Sequence, residues 1–103
     1  MKPHLTIVIP TYNESIDIAS CLESIAMQKF DKNKFEVIIV DNYSSDKTVE
    51  IAKKFSKKIK LRVLFNKIKD AETSKMKGLK QARGDFFMYL DADMTFADEF
   101  FID

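Results

Sequence analysis

The chain has 103 residues, enough for one folded core and no second domain, since single cores organise about 100 to 150 residues. Its 46% hydrophobic and 32% charged content excludes a disordered polyelectrolyte. Lys plus Arg number 17 against 16 Asp plus Glu, so the net charge of +1 gives no global field for nucleic acid or an anionic membrane, and neither is an expected partner. The lone cysteine, Cys21, cannot form an internal disulfide and suits a reducing compartment. No apolar stretch approaches the roughly 20 residues that cross a bilayer, and the N-terminus lacks a signal-peptide layout, so a cytoplasmic setting is expected.

In chain order, Leu5 to Pro10 is a β-branched apolar run closed by proline and predicts a strand buried on both faces. From Ser15 to Met27 the apolar positions Ile18, Cys21, Leu22, Ile25 and Ala26 recur along one helical face, which makes Cys21 a core residue. Phe35 to Val40 repeats the buried-strand pattern. Asp41, Asn42, Ser44, Ser45 and Asp46 then supply turn and capping chemistry. A second helix is predicted over about Lys47 to Phe55, and a third strand over Leu61 to Phe65. The lysines Lys53, Lys54, Lys57, Lys58 and Lys60 close that helix, where a solvated face favoured by the dipole is the first reading. A third helix over Thr73 to Ala82 is expected to stop at Gly84, and Phe86 to Leu90 predicts a fourth strand.

Strands alternating with helices imply a parallel sheet with right-handed crossovers, a Rossmann-like open α/β fold with expected strand order 3-2-1-4. Ligands bind such sheets beyond the carboxyl ends of the strands, where the winding reverses. Thr11, Tyr12, Asn13 and Glu14 follow strand one, Asp41 follows strand two, and Asp91 and Asp93 follow strand four. In an extended segment Asp91 and Asp93 would point the same way. Unit charges about 4 Å apart repel by roughly 4 kcal/mol at an effective dielectric near 20, which a divalent cation relieves. Hard oxygen ligands suit Mg2+ or Mn2+, with a diphosphate and water completing the shell. The same tripeptide also simply begins a turn. Tyr12 is either a packing aromatic or a stacking platform for a base, Asp41 a turn former or an acceptor for a base N–H, and Lys75 a phosphate contact or a solvated side chain.

Taken in order, Ile7-Val-Ile-Pro-Thr-Tyr-Asn-Glu14, Val40-Asp-Asn-Tyr-Ser-Ser-Asp-Lys-Thr48, Lys77-Gly-Leu-Lys-Gln-Ala-Arg-Gly84 and Leu90-Asp-Ala-Asp93 resemble the family 2 glycosyltransferases. The resemblance spans nearly the whole chain and implies that residues 1–103 are the nucleotide-sugar-binding half of a GT-A domain, an incomplete GT-A fold. It implies that Pro10, Thr11, Tyr12 and Glu14 cradle the base and ribose and that Asp41 contacts the base. Asp91, with Ala92 between, and Asp93 would bind ribose and metal, Asp93 directly. It also implies a nucleotide-sugar donor, UDP-linked first and GDP-mannose second, and inverting transfer.

Three departures qualify the resemblance. Asn42-Tyr43 stands where the family carries Asp-Gly or Asn-Asn, which implies a stiffer or re-aimed loop. Ser74-Lys75-Met76 stands where Ala-Arg-Asn is usual, so the basic donor contact falls to Lys75. Family members continue for about a hundred further residues that carry the acceptor pocket and catalytic carboxylate. The catalytic base is therefore expected beyond Asp103, with no catalytic residue within this chain and no transfer activity in isolation. The alternative is a non-catalytic nucleotide-binding module that works with a partner chain. Self-association is expected through the apolar C-terminal segment Phe96, Phe100, Phe101 and Ile102, with strand four as an open edge. A phosphorylation receiver is excluded because its acidic pair follows strand one, where Pro-Thr-Tyr stands here.

Overall fold

In the computed structural model, which describes residues 2–97, the four apolar runs pair as one parallel sheet in the order β3-β2-β1-β4. The strands are β1 (Leu5–Thr11), β2 (Phe35–Asp41), β3 (Leu61–Phe65) and β4 (Phe86–Tyr89). Between them lie α1 (Ile18–Ala26), α2 (Thr48–Lys53), running into a 3-10 turn at Lys54–Lys57, and α3 (Ala71–Gln81). The expected elements are all present, with α1 starting three residues later than Ser15 because residues 15–17 form a turn.

Strand alternation divides the core in two. Ile7, Ile9, Val37 and Ile39 face α1 and α2 in the larger cluster, together with Ile18, Cys21, Leu22, Ile25 and Ala52. Val8, Ile38 and Val40 face the other way and pack with Leu64 and Ala82 beneath α3. Because β1 and β2 are covered on both faces, they read as continuous apolar runs rather than alternating ones. On the α3 face the core gives way to polar groups toward the strand N-termini. Glu36 is buried there, accepting from Thr6 Oγ1 at 2.8 Å, from the Arg83 backbone N–H at 2.7 Å and from Arg62 Nη2 at 3.1 Å.

One expectation changes. The helix α3 ends at Ala82, whose backbone turns extended (φ −68°, ψ 140°), so Gly84 does not stop it. Gly84 is instead a point of close approach: a Cβ there would lie 2.7 Å from the Thr6 amide nitrogen and 2.8 Å from the Leu5 carbonyl carbon. Gly78 works likewise on α3, where a Cβ would meet Val8 Cγ1 at 2.5 Å. The fourth strand stands at the edge as expected: among the described residues β4 pairs only with β1, which leaves Phe86 60% and Phe87 48% exposed.

Of the apolar C-terminal segment, Phe96 is partly buried against the larger cluster. Phe100, Phe101, Ile102 and Asp103 lie outside the described residues, and so does the catalytic base expected beyond Asp103. No helix among the described residues is long and apolar enough to cross a membrane.

Candidate functional site

The chain winds from β1 to β2 to β3 on one side, then returns to place β4 on the other flank of β1. The reversal falls between β1 and β4, so the loops that follow these two strands border the crevice where such sheets bind ligands. The register sets Thr11 beside Asp41, and the expected loop residues after β1, β2 and β4 stand at this one edge.

The loops after β1 and β2 are latched together. Asp41 is fully buried and accepts from Thr11 Oγ1 at 2.6 Å, from the Ser44 hydroxyl at 2.7 Å and from the Ser44 backbone N–H at 2.7 Å. A carboxylate has about four acceptor positions. Oδ1 fills two and Oδ2 one; the remaining position on Oδ2 is enclosed with the rest of the carboxylate, so a ligand N–H reaches it only when the covering loop shifts. Asn13 adopts a left-handed conformation (φ 53°), which asparagine tolerates better than most residues, and its Oδ1 accepts from the Ser45 N–H at 2.8 Å. The Asn13 N–H donates to Ser44 Oγ at 2.8 Å, the Glu14 N–H to Thr48 Oγ1 at 2.8 Å, and the Ser15 N–H to Asp46 Oδ2 at 3.1 Å. The Thr48 hydroxyl donates a short bond to Asp46, chiefly through which the Asp46 carboxyl is held down at about 2.

Tyr43, the residue standing at the glycine position of the common motif, is also left-handed (φ 56°). Such strain costs of order 1–3 kcal/mol in a side-chain-bearing residue. It is held by Ser44 on Asp41 and by packing of the Tyr43 ring on Phe65, with centroids 5.3 Å apart. These contacts hold the strained turn in place. Asn42 is buried and donates to the Asn66 and Ile68 carbonyls at 2.9 and 3.1 Å. Asn66 in turn donates to Ser74 Oγ at 3.0 Å, so the loops after β2 and β3 are fixed to α3.

On the crevice side, Asp91 and Asp93 are exposed while Ala92 between them is buried. The segment is a turn closed by the Met94 N–H on the Asp91 carbonyl at 3.0 Å, not the extended stretch expected, because β4 ends at Tyr89. Both carboxylates are exposed, but the strand alternation expected to point them the same way does not operate in a turn. Glu14 belongs to the same acidic group: burial first, then Asp93, Asp17, Asp46 and Asp91, raise its carboxyl above the ordinary 4.5. Burial, then Asp93 and Glu14, push the Cys21 thiol up to about 12. Cys21 thus lies under the crevice as a core residue and not as a nucleophile.

Tyr12 is 42% exposed, and Lys69 from the loop after β3 caps it, with Nζ 4.2 Å from the ring centroid and 2.9 Å from the hydroxyl. Lys69, Asn66 and Ser74 are not among the residues the sequence points to. Their signal is tertiary, since only the sheet order brings the loop after β3 next to the loops of β1 and β2. Pro10 lies partly buried within β1. Lys75 stands apart: its ammonium lies 5.3 Å from the Tyr89 ring centroid and 3.9 Å from Glu72 Oε1. It is on the β4 flank and not joined to the Thr11–Asp41 pair. Among the described residues no three His, Cys, Asp or Glu side chains form a metal cage.

Comparison with known proteins places this geometry in a class. The family model for Glycosyl transferase family 2 matches residues 6–102, and the chain belongs to that family. It is 37% identical over 90 residues to the poly(ribitol-phosphate) beta-N-acetylglucosaminyltransferase TarS of Staphylococcus aureus, covering 85% of this chain and 16% of that protein. A crystal structure of part of TarS in complex with UDP-GlcNAc superposes with a TM-score of 0.81 at 34% identity, covering 87% of this chain and 26% of that one. A mannosyltransferase of Pyrobaculum calidifontis in complex with GDP-Man and Mn2+ superposes with a TM-score of 0.87 at 25% identity, covering 96% and 30%. The fold is thus the N-terminal portion of the GT-A arrangement, and the chain spans less than a third of these relatives.

Proposed function

We propose that the crevice between β1 and β4 binds a nucleotide-sugar donor, UDP-linked first and GDP-linked mannose second, together with Mg2+ or Mn2+. The observation that carries this reading is the meeting, at the reversal of winding, of an exposed Tyr12 ring with the exposed Asp91 and Asp93 carboxylates and partly buried Glu14. Tyr12 offers its ring to the base, Asp41 offers the unfilled position on Oδ2 to a base N–H once the loop that encloses it shifts, and the Thr11–Asp41 bond fixes that carboxylate's direction. Asp93, with Asp91 beside it, holds the cation.

The residues present fit such an ion. Two outward carboxylates without a third protein ligand suit a cation that completes its shell from phosphate and water. When bound, the ion supplies neutralisation of the charge that develops on a departing nucleoside diphosphate. The chain's own residues orient that diphosphate. Lys75 sits on the β4 flank, where its ammonium serves the donor only after leaving Glu72. The matched stretch omits most of each relative's length, and we keep the expectation that the acceptor base stands beyond Asp103. The 103-residue chain then holds donor without transferring sugar, as the half-domain that residues 1–103 are taken to be. The lone buried thiol supports a cytoplasmic setting. The β4 edge, unpaired among the described residues, with Phe86 and Phe87 exposed, supports pairing with a second copy, which sedimentation at micromolar concentration tests.

Calorimetric titration of UDP, GDP and their sugars in Mn2+ tests the donor reading. Tighter binding of UDP than GDP is expected; tighter GDP binding would move the assignment to the guanine-linked donor, and no binding of either would overturn it. A transfer assay separates the enzyme fragment from the alternative module: restoration of transfer by adding a separate partner chain would favour the module.

A further inference from the structure

The acidic crevice occupies one end of the strands, and the opposite end carries a basic cleft that the donor reading does not use. At the N-terminal edge of the sheet a cavity of about 950 Å3 opens where the 3-10 turn, the loops before β1, β2 and β4, and the start of β3 converge. Lys57, Lys58 and Lys60 line it from the turn and the approach to β3, and Arg62 from β3 itself. Lys2, Lys32 and Arg83 enter from three separate loops. Among the described residues the only acidic lining residue is Glu36, already occupied by Thr6, Arg62 and the Arg83 N–H. A chain of net charge +1 is therefore polarised, negative at the crevice and positive at this cleft.

The lysine run that reads in the sequence as a solvated helix end is only part of this feature, since Lys2, Lys32, Arg62 and Arg83 come from elsewhere in the chain. Lys2 and Lys58 are paired with Asp85 at 2.8 Å and Glu23 at 3.1 Å, but these pairs are exposed and exposed pairs hold weakly. Lys57, Lys60 and Arg83 have no side-chain hydrogen bond or ion pair among the described residues. Arg62 Nε is a buried donor with no partner.

We propose that this cleft binds a flexible polyanion carrying several phosphates in a row, independently of the nucleotide crevice. Lysine ammonium groups act on phosphate as separate point charges, so cations spread around a cavity of this size match successive phosphates along a chain better than a single one.

The test uses the 103-residue chain and inorganic tripolyphosphate, titrated in chelator so that the crevice has no cation with which to take it. Wild type is expected to bind, and more weakly as salt rises from roughly 50 to 200 mM. The triple variant Lys57→Gln, Lys60→Gln, Arg83→Gln is expected to bind about tenfold more weakly with its UDP affinity in Mn2+ unchanged. Asp93→Ala is expected to leave tripolyphosphate binding intact. Absence of binding, equal binding by the triple variant, or loss on Asp93→Ala would each overturn the proposal. So would capture by phosphatidylglycerol vesicles without tripolyphosphate binding, which would assign the patch to a membrane surface.

Discussion

Replacing Asp41 separates its two duties, because its carboxylate fastens a loop and has one acceptor position left unfilled for a base that displaces the covering loop. In Asp41→Ala, Thr11 Oγ1 and the Ser44 hydroxyl and N–H lose their common acceptor in a site with no solvent access. At about 1 kcal/mol for each lost bond, and more for a donor left buried and unpaired, the loss is about 2–4 kcal/mol. For a chain of this size that is a fall in Tm of roughly 10–20 °C. In Asp41→Asn the amide oxygen can accept from the Ser44 N–H while its NH2 faces two hydroxyls that rotate to accept. Removal of a buried charge also offsets part of the cost. The expected destabilisation is about 1 kcal/mol or less, with UDP binding weakened more than binding of pyrophosphate and Mn2+, since only the base meets Oδ2. Urea unfolding followed by circular dichroism, with calorimetry on the same samples, reads both effects. If Asp41→Ala melts within about 2–3 °C of wild type, a shift worth well under 1 kcal/mol, the latch is not what holds these loops, and the reasoning fails.

Two further outcomes follow from the geometry. Glu14 should titrate above 4.5, and Asp93→Asn, by removing the second of the causes that raise it, should bring it back toward that value in a carbon-detected NMR titration; an unmoved Glu14 would mean that the two loops do not face each other. The sign for stability is that a raised carboxyl binds its proton more tightly when folded. Glu14 therefore favours the folded state at low pH, and that contribution disappears as pH rises from 4.5 through its folded value. Gly84→Ala forces a Cβ against the β1 backbone and should cost about 1–3 kcal/mol; a variant as stable as wild type would show that the loop before β4 gives way freely.

The fold is legible because its signals are local. Leu5–Pro10, Phe35–Val40 and Leu61–Phe65 are short apolar runs between polar turns, and Ile18, Cys21, Leu22 and Ile25 mark a helical face. The order of motifs carries the family. What escapes is what depends on distant segments meeting. The cap of Lys69 on Tyr12 joins residues 57 apart in sequence, and the Asn42–Asn66–Ser74 cluster needs β2, β3 and α3 in place. Glycine misleads at position 84, where the chain needs room and not a positive φ. Asp91 and Asp93 do share one polar edge, although by a turn around buried Ala92 and not by strand alternation.

In the proposed function Asp93 and Asp91 hold a cation that in turn holds the donor's diphosphate. Titration of UDP into the wild-type chain and Asp93→Ala, each with Mn2+ and then with excess chelator, tests it most directly. The account predicts UDP binding by wild type in Mn2+, its loss in chelator, and a weakening of about tenfold or more in Asp93→Ala with Tm nearly unchanged, since exposed loop substitutions usually move stability by no more than about 0.5 kcal/mol. Equal UDP affinity with and without the metal, or full affinity in Asp93→Ala, would contradict it.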